Sequence, residues 1–295
     1  MPLLKTCIMA TALAATLAAH AATLRPGPDG TVQPQTAQSQ TVQSQTMQSQ
    51  PDASDYPALL PADRDLAARD IVARAHRAAG GDTWVRPASL KMTGTAVMYR
   101  DGRPVPYDRY IMLRVYPAAK TDAHRADGRV RIEGWRDGRP ALLIAFDGGT
   151  TYGLDGPLPA GDADRRWSAN FGFGAIRNAL DDGWTQTRMP DDLIDGRPAF
   201  MVELTDPSGG RTLFGIARDD YAILYVGFDT PRGWHERRYS HFFRKDGVDW
   251  VQPGRVRLFY DGVKQNEVLW TDFEVNAALD DSLFTITAPP EKPVF

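Results

Sequence analysis

Residues 90–116, LKMTGTAVMYRDGRPVPYDRYIMLRVY, decide how this chain folds. Two β-branched, aromatic and methionine-rich runs, 90–99 and 107–116, flank Asp101-Gly102. Asp-Gly supplies the positive φ angles that a tight two-residue hairpin demands, so the stretch predicts two antiparallel strands. The second strand is apolar on both sides. Tyr110, Met112 and Tyr116 share one face, and Ile111, Leu113 and Val115 the other. A sheet solvated on one side should alternate more cleanly, so both faces are expected to be packed, or one to line a pocket.

The same punctuation recurs along the chain. Asp-Gly pairs begin at 101, 127, 137, 147, 155, 182, 195, 246 and 261, many of them between alternating apolar segments. Further strands are predicted at 129–135, 141–147, 198–205, 211–218, 221–229, 235–244, 255–261 and 265–275, with shorter ones near 150–154 and 185–189. The fold class expected is mainly β: one large, strongly curved antiparallel sheet, an incomplete barrel of about eleven strands with capping helices. A parallel α/β architecture would need a crossover helix between successive strands, and the spacing leaves no room for them. Segment 141–146 repeats the two-sided apolar pattern, Leu142, Ile144 and Phe146 opposing Ala141, Leu143 and Ala145.

Two helices interrupt the strands. Leu66, Ile71, Val72, Ala75 and Ala79 recur at helical spacing behind Asp63, a plausible N-cap, and Gly80-Gly81 ends the run. Later, Trp167, Phe171, Ala175, Ile176, Ala179 and Leu180 form a rough helical stripe ending at Gly183. An apolar helix inserted between strands is well placed to lie across a concave sheet face, as a lid or as a plug.

The N-terminal quarter is organised differently. Lys5, an apolar run from Ile8 to Ala19, and Ala19-His-Ala21 have the layout of a cleavable secretory signal over 1–21. The run is too short and alanine-rich to be expected to span a bilayer, which takes about 20 apolar residues. Cys7, the one cysteine, precedes the apolar run and would leave with the peptide, so no disulfide, thiolate or cysteine-bound metal is expected in the mature protein. Residues 22–62 read as a Gln/Ser/Thr-rich linker, with TAQSQ, TVQSQ and TMQSQ in tandem at 36–50; too few apolar side chains are present to offset the entropy of ordering it. The folded domain is expected over 63–288 and a C-terminal tail over 289–295. A net charge of −3 with interspersed signs gives no electrostatic case for nucleic acid.

The helix leading into Gly80-Gly81 and Trp84, then Leu90-Lys-Met-Thr-Gly94, resembles the start of LolA-like proteins, the periplasmic family that sorts outer-membrane lipoproteins. The ending is similar in style, at 239–247, 257–262 and 275–284, so the resemblance spans roughly 65–285. It implies a curved, incomplete barrel whose open side is capped by helices, with an apolar cavity that accepts acyl chains.

Chemistry is sparse by comparison. No Gly-x-Ser-x-Gly elbow, phosphate loop or His-Glu-x-x-His helix occurs. His235 and His241, six apart on one strand, would lie about 20 Å from each other, too far to share a metal. Ser240 and His241, as strand neighbours, should face opposite ways and form no nucleophile–base pair. The expected function is therefore a non-enzymatic periplasmic carrier, with no metal and no cofactor, holding a lipid, a lipoprotein acyl chain or another apolar ligand. Tyr110, Met112, Trp135, Ile144, Phe146, Trp167, Phe171 and Phe173 are the candidate cavity residues, since aromatic and methionine side chains suit loosely shaped apolar ligands. Arg255 and Arg257 share a strand face and are candidates for an anionic head group. The alternatives are a module that binds an outer-membrane or periplasmic protein, and an enzyme using the same cavity.

Overall fold

The computed structural model describes residues 65–116, 128–161 and 173–295. The predicted signal, the whole predicted linker, Asp63, Trp167 and Phe171 lie outside the described residues.

Among the described residues, one antiparallel sheet of thirteen strands forms the body. In chain order these are β1 (Ser89–Arg100), β2 (Arg103–Val115), β3 (Arg129–Arg136), β4 (Arg139–Phe146), β5 (Thr151–Gly153), β6 (Gly156–Pro157), β7 (Thr185–Ile194), β8 (Arg197–Thr205), β9 (Arg211–Ala217), β10 (Ile223–Thr230), β11 (Gly233–Phe243), β12 (Gln252–Tyr260) and β13 (Val263–Val275). The single curved antiparallel sheet expected from the sequence is what forms, with thirteen strands rather than about eleven. The short β5 and β6 extend one edge.

Four of the Asp-Gly pairs close hairpins as predicted. Asp101-Gly102, Asp137-Gly138, Asp195-Gly196 and Asp261-Gly262 all have both residues at positive φ, the signature of a type I′ turn. They join β1 to β2, β3 to β4, β7 to β8 and β12 to β13.

The sheet is two meanders fused at one seam. Its order runs β6-β5-β4-β3-β2-β1-β13-β12-β11-β10-β9-β8-β7, so β1 pairs with β13, and the edges β6 and β7 are consecutive in the chain. The connection between them carries the chain from one edge to the other. Within it lies a short helix, Phe173–Asn178, packed inside the concave face with α1 (Ala68–Ala79) and α2 (Gly81–Val85); as the third helix it is α3. The predicted 167–180 helix is described only from Phe173, and the first helix starts at Ala68 rather than beside Asp63.

The sheet curls tightly around these helices. β2 and β11 stand four strand spacings apart, which would be about 19 Å in a flat sheet. Yet Tyr110 of β2 feels the charge of Arg237 on β11, and Tyr239 of β11 that of Arg114 on β2. The interior between them is one apolar cluster running from Ile71, Val72 and Ala75 of α1 through Met92, Tyr110 and Phe273 to Phe200 and Phe214.

The two-sided apolar strands now have an explanation. Tyr110 and Met112 face the interior across from Gly94 and Met92, while Ile111 and Leu113 face the convex side. There the C-terminal segment covers them. Ile286 packs with Leu143, Ala145 and Tyr152. A 3-10 turn at Asp281–Phe284 lies against β3, Arg131 donating to the Leu283 carbonyl at 2.7 Å. The expected tail is docked as well. Val294 N–H donates to Glu133 at 3.3 Å, Arg109 donates to the Phe295 carbonyl at 2.5 Å, and the Lys91 ammonium lies 3.9 Å from the Phe295 ring centroid. Among the described residues, no helix is long and apolar enough to cross a membrane.

Candidate functional site

A groove of about 520 Å³ opens where α1 ends against the sheet. Ala78 and Ala79 form one wall because Gly80 stops the helix there, its amide donating back to the Arg77 carbonyl at 3.3 Å. Gly80 adopts φ 136° and a Cβ on it would run into the backbone of Asp249, so the helix end and the β11–β12 connection meet without a side chain between them. Val251 N–H then donates to the Ala79 carbonyl at 2.8 Å and fixes the contact. Trp84 of α2 forms the inner wall, with Ala222 and Ile223 at the start of β10, Phe242 and Phe243 at the end of β11, and Val251 and Pro253 on the β12 side. Two charged residues, Asp220 and Arg244, also line it; Arg244 caps α1 by donating to the Ala78 carbonyl at 3.2 Å. Volume and lining are those of a small-molecule or acyl-chain site.

Behind Trp84 the packing is aromatic. The Trp84 and Trp250 rings lie 6.4 Å apart, and Trp250 meets Phe273 at 6.5 Å. Arg177 from α3 is buried among them, its guanidinium 4.6 Å from the Trp84 ring, 4.7 Å from Tyr116 and 5.3 Å from Trp250. Such cation–π contacts gain strength when desolvated. Arg86 ties α3 down from outside, donating to the Arg177 carbonyl and Asn178 side chain at 3.1 Å each and pairing with Asp181 at 2.6 Å.

His76 links α1 to α3. Its Nε2 lies 2.6 Å from the Ile176 carbonyl, which fixes that nitrogen as the N–H donor. Burial holds the ring below its ordinary pKa of 6.5; the carbonyl bond and Asp181 oppose this, Arg86 and Arg177 add to it. An unfolded histidine takes up its proton at about 6.5 and the native one only at lower pH. The unfolded state therefore binds more protons in that window, and stability is lost as pH falls below about 6.5. Urea midpoints should accordingly drop between about pH 7 and pH 5.5, and His76→Gln should remove part of that slope. Equal slopes in the two proteins would show that His76 is not the group responsible.

The sequence-predicted residues fall in several places. Tyr110, Met112, Ile144 and Phe146 share the interior side by strand register, but none lines the groove. Trp135 is on the other side: it pairs with Arg109 in the convex register and donates to Glu133 at 2.8 Å beneath the C-terminal segment. Alternation from Tyr110 would not have revealed this, because the face of Trp135 depends on pairing with β2. Phe173 opens α3. Arg255 and Arg257 face outward, in ion pairs with Glu267 at 2.8 Å and with Asp195. Burial acts to raise the Asp195 pKa, but Arg257 and Arg238 outweigh it and hold the carboxyl below its usual value. The groove residues were missed because they come from four distant segments; Gly80 beside Trp84 was the one local signal.

One stereochemical expectation fails. Ser240 Oγ and His241 Nδ1 lie 3.0 Å apart, because His241 sits at φ 56° and turns its ring back along the strand. The kink is possible because Gly254 opposite carries no Cβ, which would strike the His241 carbonyl. The pair is at the surface, and among the described residues no carboxylate hydrogen-bonds the second ring nitrogen, so the base lacks the orienting partner that triads use. Among the described residues no cluster of histidine and carboxylate side chains could hold a metal ion.

No protein-family model matches the chain, and no curated protein matches its sequence. Solved structures similar to it include a domain from Vibrio parahaemolyticus provisionally described as an outer membrane lipoprotein-sorting protein (11% identity, 74% of this chain and 95% of that one, TM-score 0.44). A DUF1329 family protein from Desulfovibrio piger is similar over 76% of this chain and 98% of its own, at 16% identity and TM-score 0.46. A LolA superfamily protein from Nitrosomonas europaea is similar over 75% and 98%, at 16% identity and TM-score 0.43. These similarities concern overall architecture alone, and identities of 11–16% transfer no residue's role to this chain.

Proposed function

We propose that this protein is an exported, periplasmic carrier that holds a lipid, a lipoprotein acyl chain or another apolar ligand, and that the groove beside α1 is where the apolar part lies. The observation that supports this is the groove itself: about 520 Å³, walled by Trp84, Ile223, Phe242, Phe243, Val251 and Pro253. Burying acyl surface there contributes about 0.8 kcal/mol per methylene, so a chain of modest length supplies useful affinity without any chemistry. The signal-like N-terminus and the long polar linker fit an envelope protein with reach.

Ala78→Trp tests the assignment. Residue 78 lies on a helix that accepts tryptophan, and the indole would fill part of the groove. Displacing two or three methylenes of a dansyl-labelled undecanoate costs about 2 kcal/mol, roughly thirty-fold in Kd. That loss, with the melting midpoint unchanged, is the expected result of a fluorescence titration. Unaltered affinity would move the ligand out of the groove.

A further inference from the structure

Of the two charged side chains that line the groove, one is answered by an opposite charge and the other is not. Asp220 pairs with Arg197 at 3.0 Å, and its carboxylate also accepts the Ala222 N–H at 2.9 Å. Arg244, just past the end of β11, donates from Nη2 to the Ala78 carbonyl at 3.2 Å, and among the described residues no carboxylate pairs with it. We propose that Arg244 binds the carboxylate of a long-chain fatty acid whose chain lies in the groove, so that the carrier prefers singly charged anionic amphiphiles to neutral ones. The inference rests on the carrier reading of the groove and adds the head group to it.

Three observations carry this. Arg244 is part of the groove wall beside Phe242 and Phe243, so a head held by its guanidinium leaves the chain against those two rings. The side chain is also positioned: the bond to Ala78 holds it at the end of α1 and engages one of its five N–H groups, while the others make no hydrogen bond among the described residues. A guanidinium edge of that kind matches the two oxygens of a carboxylate. Finally, the negative end of α1, which would ordinarily repel an anion, is already occupied by donors. The Arg77 carbonyl takes the Gly80 N–H at 3.3 Å, the Ala79 carbonyl takes the Val251 N–H at 2.8 Å, and the Ala78 carbonyl takes Arg244 itself. Asp220 limits the charge of the head. Its partner Arg197 is shared with Asp219 at 2.5 Å, so two carboxylates face one arginine on that side of the groove. One uncompensated guanidinium then suits a carboxylate better than a doubly charged phosphate.

The test is calorimetric titration of the delipidated full chain with laurate, dodecanol and dodecyl phosphate, at low and high ionic strength. Laurate is expected to bind about five-fold tighter than dodecanol at low salt, the upper end for an exposed ion pair. Because Arg244 is exposed, the gap should narrow as salt rises, a readout that needs no substitution. Arg244→Gln should bring laurate down to the affinity of dodecanol, and Arg244→Lys should keep part of the preference, since it retains the charge and loses the fork. Equal binding of laurate and dodecanol in the parent, or a preference that survives in Arg244→Gln, overturns the role of Arg244 and leaves the groove reading standing. Dodecyl phosphate bound tighter than laurate overturns the choice of a carboxylate. If the parent binds none of the three, the groove reading falls and this inference falls with it.

Discussion

Gly94→Val is expected to lower the unfolding free energy by about 4 kcal/mol or more, enough to leave the domain largely unfolded. β1 is the seam of the sheet: it joins the β2–β6 half to the β7–β13 half through its pairing with β13. At Gly94 the register shifts against both neighbours, between Thr93 and Gly94 on the β13 side and between Gly94 and Ala96 on the β2 side. These irregularities bend the strand and add twist. A Cβ at Gly94 would fall inside the contact radius of the Leu269 carbonyl oxygen, 2.8 Å from its carbonyl carbon and 2.9 Å from the Trp270 Cα. Those are backbone atoms of the paired strand, so no side chain can move aside. Overpacking in a core costs about 1–3 kcal/mol, and here relief means breaking the seam as well. Gly149, whose Cβ would meet nothing nearer than 3.8 Å, supplies the control. Urea titrations of Gly94→Ala, Gly94→Val and Gly149→Ala measure the effect. A Gly94→Ala protein as stable as the control would contradict this account of how the sheet bends.

Trp84→Ala carries the second large expectation: a loss of about 3–5 kcal/mol, the usual range for deleting a buried large aromatic. Trp84 is 3% exposed and holds three things together. It packs near Trp250, it lies beneath Arg177, and it forms the inner wall of the groove. Deletion therefore removes buried apolar area and the aromatic face that offsets a buried cation. Trp84→Phe keeps a ring for Arg177 and should retain well over half of the lost stability. In that milder variant the dansyl-undecanoate affinity should change, because the groove wall recedes. Loss of less than about 1 kcal/mol in Trp84→Ala would show that this side chain organises neither the helix layer nor the groove.

How far the sequence could be read follows from which interactions are local. Hairpin turns are: Asp-Gly at 101, 137, 195 and 261 needs only its own two residues to choose a type I′ turn, and the structure follows it. Period-two patterning is local too, and it flagged 110–116 and 141–146 as packed on both faces or lining a pocket on one. What covers each face was not local. Residues 284–295 turn back onto the convex side, a contact with β3 across some 150 positions that nothing near Glu133 announces. The convex placement of Trp135 follows from this, and the ion pairs of Arg255 and Arg257 were equally out of view, because their carboxylate partners lie on β13 and in the β7–β8 turn. The β1–β13 seam, which sets the curvature and so the concave site, likewise depends on pairing between the two ends of the domain. Ser240 and His241 show the opposite failure: strand alternation is a sound rule, and one residue at φ 56° opposite a glycine evades it.

The most direct test of the central claim is native mass spectrometry, with lipid extraction, on the protein purified from bacterial envelopes without detergent. Binding of an apolar ligand in the groove predicts a co-purifying lipid or acylated species that survives in the parent protein and is depleted in Ala78→Trp. Repeated preparations free of any adduct, from protein that also takes up no added acyl probe, would contradict it.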